Sequence, residues 1–249
     1  MNPQEIEHRR DAWPPVAAAV ASARPAPARR ATALRSLRTG TYVLAQENID
    51  TDQIVPARFL VESGRTDWGE VLFAGWRTAA AFDRSASPQI APPGRSEPPS
   101  IAPREASGFD AQAARGRGIL IAGRNFGCGS SREHAAWALR DFGFRVVIAP
   151  SIADIFRRNA LKNGVLAIDV PEAVHAGLQS APGAEVEVDL ERSTLTLPDG
   201  EPVAFAIDRF ARHCLLEGLD ELAFLLRQDS RIEAFEDACP RRSLAVPVR

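Results

Sequence analysis

Short, continuously apolar runs alternate through the middle of the chain with longer segments in which apolar residues recur at helical spacing. Runs of this kind, bounded by glycine or proline, predict strands that are buried on both faces, as in a parallel sheet. The predicted strands are residues 41–45, 117–123, 145–149 and 165–168. Helices are predicted between the later strands, from near Ser131 to Gly143 and over residues 151–163.

The pattern changes in the second half of the chain to an alternation of apolar and polar residues. A period of two predicts half-buried strands, and Pro198-Asp199-Gly200 predicts a tight turn between two of them. The alternating segments are residues 186–190, 195–197 and 203–207, and short helices are predicted at 172–178, 209–216 and 221–228. Together the elements predict a mixed-sheet α/β domain that includes an antiparallel meander.

Two segments have a different composition and mark the limits of this domain. Residues 1–38 are rich in alanine, proline and arginine, which predicts a flexible N-terminal extension. Residues 84–108 are rich in proline and predict an insertion in the form of a loop. The domain itself is predicted to span residues 39–240, with residues 241–249 as a C-terminal tail.

Composition and charge exclude several classes of protein. The 249 residues are 45% hydrophobic, enough for a sizeable core, and the net charge of −2 gives no support to a nucleic-acid partner. No segment approaches the roughly 18 apolar residues of a membrane span. The odd number and wide spacing of the cysteines predict a reduced, cytoplasmic protein. The cysteines, Cys128, Cys214 and Cys239, match no zinc or iron–sulfur ligand pattern, so no metal site is predicted on this chain.

Residues 123–134 carry the strongest chemical signal, with the sequence Gly-Arg-Asn-Phe-Gly-Cys-Gly-Ser-Ser-Arg-Glu-His. A buried strand runs into a glycine-rich turn, and Ser131 stands at the predicted cap of the helix that follows. Gly127 and Gly129 are predicted to let the backbone approach a ligand, and helix-start amides favour anions. Arg132 adds a planar charged fork suited to a carboxylate. The stretch therefore predicts a site for a carboxylate or phosphate.

Several alternatives stay open on the residues alone. The stretch lacks the third glycine of the dinucleotide fingerprint, the Gly-Lys of Walker A and the second glycine of the hydrolase elbow. A capped turn without a ligand remains possible, as does a hydrolytic serine activated by His134. Asp50 and Asp52 form either a metal-binding carboxylate pair or caps of backbone amides, with Asp52 in reach of the loop. Asn125 either presents its amide to substrate or holds the turn.

The run of residues 125–135 closely resembles the active-site loop of the swivelling domain in the aconitase superfamily. Four further segments resemble the small subunits of 3-isopropylmalate dehydratases and occur in the same order: residues 48–56, 72–77, 147–156 and 207–220. The resemblance implies the β/β/α swivelling fold. Gln46 stands where true aconitases carry a substrate-binding arginine, which implies a substrate other than citrate.

The resemblance also implies a reaction and a division of labour. Ser130 matches the catalytic serine that accepts a proton from carbon, while Ser131 and Arg132 match positions that bind a small hydroxy-dicarboxylate. Asn125 is a further candidate for binding the substrate. A [4Fe–4S] cluster is expected on a large partner subunit and none on this chain. Supporting roles are expected for the remaining site residues, which are Asp50, Asp52, Gly127, Gly129 and His134.

The implied activity is the interconversion of 2- and 3-isopropylmalate by dehydration and rehydration in leucine biosynthesis. A related hydro-lyase subunit acting on homoaconitate, citraconate or a methyl-substituted malate would have a similar loop. From another class, a non-catalytic anion-binding module would keep the glycines without needing Ser130.

Overall fold

The computed structural model describes residues 32–61, 66–77 and 108–238. The sheet in this part of the chain has seven strands in the order β4-β3-β2-β1-β5-β6-β7. The strands are β1 (Ser36–Leu44), β2 (Ile119–Ala122), β3 (Val146–Ala149), β4 (Leu166–Asp169), β5 (Glu185–Asp189), β6 (Thr194–Thr196) and β7 (Pro202–Ala204). The helices are α1 (Thr51–Ile54), α2 (Ala111–Ala114), α3 (His134–Phe142), α4 (Asp154–Lys162), α5 (Glu172–Ser180), α6 (Arg209–Glu217), α7 (Glu221–Leu226) and α8 (Asp229–Ala238).

Strand β1 joins a parallel half of the sheet to an antiparallel half. Its second part pairs in parallel with β2, in the register of Val43 opposite Ile121. Its first part pairs antiparallel with β5, in the register of Leu37 opposite Val188. β2, β3 and β4 continue the parallel half, and β5, β6 and β7 form the meander. The predicted mixed sheet is therefore confirmed, although β1 begins at Ser36 and is longer than predicted.

The burial of the strands follows from this division. β2 and β3 are buried at every position, because helices or loops cover both faces of the parallel half. On β2, Leu120 and Ala122 pack with α3 and α4 in one cluster, whereas Ile119 and Ile121 pack with α5 and α6 in the other. β5 instead alternates between buried and partly exposed residues, since one face of the meander is less covered.

Two helices begin later than the sequence predicts, and tertiary hydrogen bonds explain the delay. The cap of α3 is Glu133, whose side chain makes no capping hydrogen bond, so the predicted cap at Ser131 is wrong. The cap of α4 is Ala153, and Ser151 lies outside the helix. The backbone of Phe126 bonds to Ser151 and Ala153, which keeps residues 151–153 extended. The helix predicted at 221–228 ends at Leu226, and α8 follows it unpredicted.

The predicted extension, insertion and tail fall largely on residues 1–31, 78–107 and 239–249, which lie outside the described residues. Those domain limits stay predictions. Within the described ranges, none of the helices has the length and apolar character needed to cross a membrane.

Candidate active site

The candidate site lies where the parallel strands end. Carboxyl ends of parallel strands share one edge of a sheet, so the loops that follow β1, β2 and β3 meet there. We refer to residues 123–133, which follow β2, as the site loop. Its backbone bonds to the loop after β1: the amide of Gly127 donates to the carbonyl of Ile49 at 2.7 Å, and the carbonyl of Cys128 accepts from Thr51 at 3.0 Å. The site loop is thus fixed against its neighbour by main-chain hydrogen bonds.

The loop after β3 holds the site loop from the other side. The amide of Asn125 donates to Ser151 Oγ at 2.9 Å, and the amide of Phe126 donates to the carbonyl of Ser151 at 3.2 Å. Farther along the site loop, the side-chain amide of Asn159, on α4, donates to the carbonyl of Ser131 at 3.2 Å. Ser151 therefore positions the site loop instead of capping a helix.

Packing against α4 requires a glycine at position 127. Its φ is +74°, a left-handed conformation that side chains rarely adopt. A Cβ at this position would lie 2.3 Å from Cγ of Phe156, which is buried on α4. At Gly129, with φ of +92°, the nearest atom to such a Cβ would be Asp50 Cβ at 3.4 Å, an ordinary contact. Contact with Phe156 is therefore enough to exclude a side chain at Gly127, and the ligand-approach role of this glycine stays a prediction.

The hydroxyl of Ser130 lies at an exposed position of the loop. Its Oγ is 3.0 Å from Oγ1 of Thr51, which lies at the start of α1. The Thr51 hydroxyl is also 3.2 Å from the Ser130 carbonyl and can donate to it. Ser131 is exposed as well. Both serines are therefore open to a ligand or to another chain, and Ser130 has a buried hydroxyl behind it.

Arg132 forms an ion pair with Asp52, a residue of α1. The guanidinium contacts both carboxylate oxygens, with Nη2 to Oδ2 at 3.1 Å, and the two side chains are 26% and 51% exposed. Two parallel contacts fix the plane of the guanidinium. The prediction that Asp52 reaches the site loop is confirmed.

Asp50 caps α1, as one of the two alternatives predicted. Its carboxylate accepts from the amide of Gln53 at 2.7 Å, and the Gln53 side chain accepts from the amide of Asp50 at 2.9 Å. This reciprocal pair is a capping box. Because Asp52 is paired with Arg132, the two aspartates do not face a common point. No group of three His, Cys, Asp or Glu side chains placed to hold a metal ion occurs in the described part of the chain.

Asn125 holds the turn through its side chain. It has a φ of +58°, which asparagine tolerates better than most residues. Its Nδ2 donates to Oδ1 of Asn48 at 2.9 Å, which links the loops after β2 and β1. The residue is exposed, so the substrate contact predicted for it remains a prediction.

His134 is enclosed by aromatic rings. Its ring centroid lies 4.6 Å from that of Trp68 and 4.5 Å from that of Trp137, both in edge contacts. Nδ1 is buried and makes no hydrogen bond to the described residues. Burial lowers the pKa of the imidazole, with Glu133 raising it and Arg132 lowering it further. The partner of the Ser130 hydroxyl is Thr51, so the geometry gives no support to a histidine-activated hydrolytic serine.

Cys128 behaves as a small residue of the turn. It is partly buried, and burial together with the nearby Asp50 carboxylate raises the pKa of its thiol. A raised pKa keeps the sulfur protonated at neutral pH, which disfavours a nucleophilic role.

Sequence reasoning missed the residues that support the loop from other elements: Asn48, Thr51, Ser151 and Asn159. Thr51 carried a usable signal, because it lies between two aspartates immediately before a helical turn. A buried hydroxyl at the first position of a capped helix needs a partner outside that helix. The sequence does not identify that partner, which is 79 residues away.

Family models and individual relatives of known proteins both match this chain. The model of the aconitase C-terminal domain matches residues 33–173, and the LeuD_N model matches residues 177–209. The 3-isopropylmalate dehydratase small subunit of Anaeromyxobacter dehalogenans is 51% identical over 203 residues, which is 82% of this chain and 96% of that protein. The small subunit of the same name from Roseiflexus castenholzii is 46% identical over 212 residues, covering 83% and 95%.

A solved structure shares the fold. The crystal structure of a 3-isopropylmalate dehydratase from Methanocaldococcus jannaschii aligns with 81% of this chain and 99% of its own, with a TM-score of 0.51 and 23% identity.

Proposed function

This chain belongs to the family of 3-isopropylmalate dehydratase small subunits within the aconitase superfamily, and we propose that it supplies the proton acceptor and the carboxylate clamp of a two-subunit hydro-lyase. The reaction is the interconversion of 2- and 3-isopropylmalate in leucine biosynthesis. The observation that carries this assignment is an exposed serine, Ser130, in the same loop as a guanidinium fixed by Asp52.

Dehydration next to a carboxylate requires a base at carbon and an acid at the departing hydroxyl. Ser130 accepts the proton from carbon, and the electron pair of the broken C–H bond forms the double bond as hydroxide leaves the adjacent carbon. Rehydration of the unsaturated intermediate in the opposite orientation completes the isomerisation: the proton held by Ser130 is added to the carbon that lost the hydroxide, and hydroxide is added to the carbon that lost the proton. Arg132 and Ser131 bind the substrate carboxylate beside it.

A serine hydroxyl is a weak base unless its anionic form is stabilised. Arg132 does this through its charge, and fixed donors aimed at a developing anion are each worth roughly two to three powers of ten in rate. Arg132 keeps one planar orientation because both oxygens of Asp52 contact it. The clamp is therefore preorganised before substrate binds.

The acid of the reaction belongs to the partner. The described residues bring together no three side chains fit to ligate a metal, and the two described cysteines are free. In hydro-lyases of this type a [4Fe–4S] cluster supplies the Lewis acid for the departing hydroxyl, and we place it on the large subunit. Free thiols also agree with a reducing compartment, so we place the complex in the cytoplasm.

Reconstitution tests this assignment. The chain is co-expressed with a cluster-bearing large subunit under anaerobic conditions and assayed with isopropylmalate, homoaconitate and citraconate. We expect turnover of isopropylmalate by the complex and none by the chain alone. Ser130→Ala should lower kcat by about two to four powers of ten, whereas Ser180→Ala, at an exposed serine of α5, should leave it unchanged.

Three outcomes would contradict the proposal. Turnover by the isolated chain would remove the two-subunit model. Wild-type kcat in the Ser130→Ala complex would remove the base. Preference for homoaconitate or citraconate would keep the hydro-lyase and replace its substrate.

A further inference from the structure

We propose that Thr51 is a positioning residue for the base, holding the Ser130 hydroxyl and donating a hydrogen bond to its anionic form. This inference rests on the proposed function, because it assigns a role to the same serine. Nothing in the sequence patterns or the family match assigns chemistry to Thr51.

The hydroxyl of Thr51 is held rigidly. The residue is 2% exposed, its amide donates to the carbonyl of Cys128 at 3.0 Å, and its carbonyl accepts from the amide of Val55 at 3.0 Å. The cap at Asp50 fixes the turn in which it lies. A buried side chain on a main chain that is fixed on both sides loses little entropy when it makes a further hydrogen bond.

That hydroxyl faces two atoms of one residue. Oγ1 of Thr51 is 3.0 Å from Oγ of Ser130 and 3.2 Å from the carbonyl oxygen of Ser130. A hydroxyl has a single hydrogen to donate and two lone pairs with which to accept. Its one hydrogen can therefore serve only one of these two oxygens at a time.

The choice between the two oxygens follows the protonation state of the base. When Ser130 carries a proton, it donates to Thr51, and Thr51 donates to the Ser130 carbonyl. When Ser130 is the anion, Thr51 turns its hydrogen to Oγ and makes a charge-assisted hydrogen bond, which is stronger than a neutral one. A rotation about one C–O bond thus lowers the cost of the anion without moving any heavy atom.

The surrounding charges leave Thr51 free for this task. Asp50 accepts from the backbone of α1, and Asp52 accepts from Arg132. The two nearest carboxylates are thereby occupied by other donors. Thr51 and Arg132 then stabilise the anion from different directions, one from the interior and one from the rim.

A matched pair of variants in the reconstituted complex tests the role. Thr51→Val keeps the shape and removes the hydroxyl, while Thr51→Ser keeps the hydroxyl and removes the methyl. Thr51→Val should lower kcat roughly 10- to 100-fold, the worth of one hydrogen bond to a charged group, with KM changed by less than about 3-fold. Thr51→Ser should retain most of kcat.

The isotope effect separates chemistry from structure. With isopropylmalate deuterated at the carbon that loses its proton, the effect on kcat should rise in Thr51→Val, because proton transfer becomes slower relative to the other steps. If Thr51→Val does not fold, Thr51→Ala is used instead. It removes both the hydroxyl and the methyl group and adds no new atoms, and the same fall in kcat is expected. Thermal unfolding and binding to the large subunit are measured for every variant.

The outcomes distinguish this role from the proposed function. Wild-type turnover with unchanged kcat and isotope effect in Thr51→Val would overturn the role of Thr51 alone. Equal losses of kcat in Thr51→Val and Thr51→Ser, accompanied by lower thermal stability, would also overturn the role of Thr51. Disturbed packing would then explain the loss of kcat in both variants. Absence of isopropylmalate turnover by the wild-type complex would overturn the proposed function and this role with it.

Discussion

Replacing Gly127 by alanine tests whether packing against α4 dictates the shape of the site loop. Two costs are expected. The backbone has a φ of +74°, and placing an L side chain in this left-handed region costs about 1–2 kcal/mol. The added methyl group would also lie 2.3 Å from Cγ and 2.6 Å from Cβ of Phe156, far inside contact distance.

The second cost depends on whether Phe156 can move. Its side chain is 1% exposed and makes an edge contact with Phe126 at a centroid distance of 5.1 Å, so it has no open space to enter. Overpacking of this kind costs about 1–3 kcal/mol. The two terms together predict a loss of about 2–5 kcal/mol, a large share of the roughly 5–15 kcal/mol that stabilises a typical domain.

Gly116 provides the matched control. Its φ is +76°, almost the same as that of Gly127, but a Cβ there would meet no atom within 4 Å. Gly116→Ala should therefore show the backbone cost alone, about 1–2 kcal/mol. Urea unfolding of both variants, followed by circular dichroism, gives the two free energies, and their difference isolates the contact with Phe156.

Activity gives the second measurement. If the loop shifts to relieve the contact, the carbonyl of Cys128 and the hydroxyl of Ser130 shift with it, so the Gly127→Ala complex should lose turnover while the Gly116→Ala complex keeps it. Equal destabilisation by the two substitutions would refute the reasoning, because it would mean that Phe156 yields without cost.

Two further predictions concern the charges of the site. Asp52→Asn should change the free energy of unfolding by less than about 1 kcal/mol, because the ion pair with Arg132 is partly exposed. It should nevertheless raise KM, because Arg132 loses the contacts that fix its plane. Urea unfolding and steady-state kinetics measure the two effects, and an unchanged KM would contradict the clamp. His134 has a pKa lowered by burial from 6.5, so the unfolded chain binds more protons as pH falls through that value, and stability should fall there. His134→Phe should flatten this part of the pH profile; an unchanged profile would show that another group causes it.

Strands could be predicted from the sequence where each face of the sheet is either buried or exposed along its whole length. Fully buried strands such as β2 and β3 appear as continuous apolar runs, and the meander appears as alternation. The full length of β1 could not be predicted, because Arg38 and Thr39 are not apolar. Their strand conformation depends on pairing with Glu187 and Val186, which lie far along the chain. Long-range pairing of this kind leaves no local signal.

The site could be predicted only in part for the same reason. The residues of the site loop are contiguous, so their pattern is visible in the sequence. Their supports come from other loops, such as Asn48 for Asn125 and Ser151 for the backbone beside it. The predicted cap at Ser131 was wrong: the helix begins after Glu133, and the carbonyl of Ser131 instead accepts a tertiary hydrogen bond from Asn159. A local rule describes a loop well only when the loop satisfies its own polar groups.

The exposure of Ser130 gives a physical reason for the two-subunit enzyme that we propose. In bulk water an ion pair at contact distance is worth about 1 kcal/mol, and only exclusion of water makes the same charges several times stronger. Arg132 is partly exposed and Ser130 is exposed, and both are screened as long as the rim of the strands faces solvent. Thr51 is already buried, so solvent does not screen the hydrogen bond that we propose it donates to the Ser130 anion. A second surface that closes over the rim would therefore strengthen the stabilisation of the Ser130 anion, and the large subunit that we propose would bring the acid of the reaction to the site in the same step.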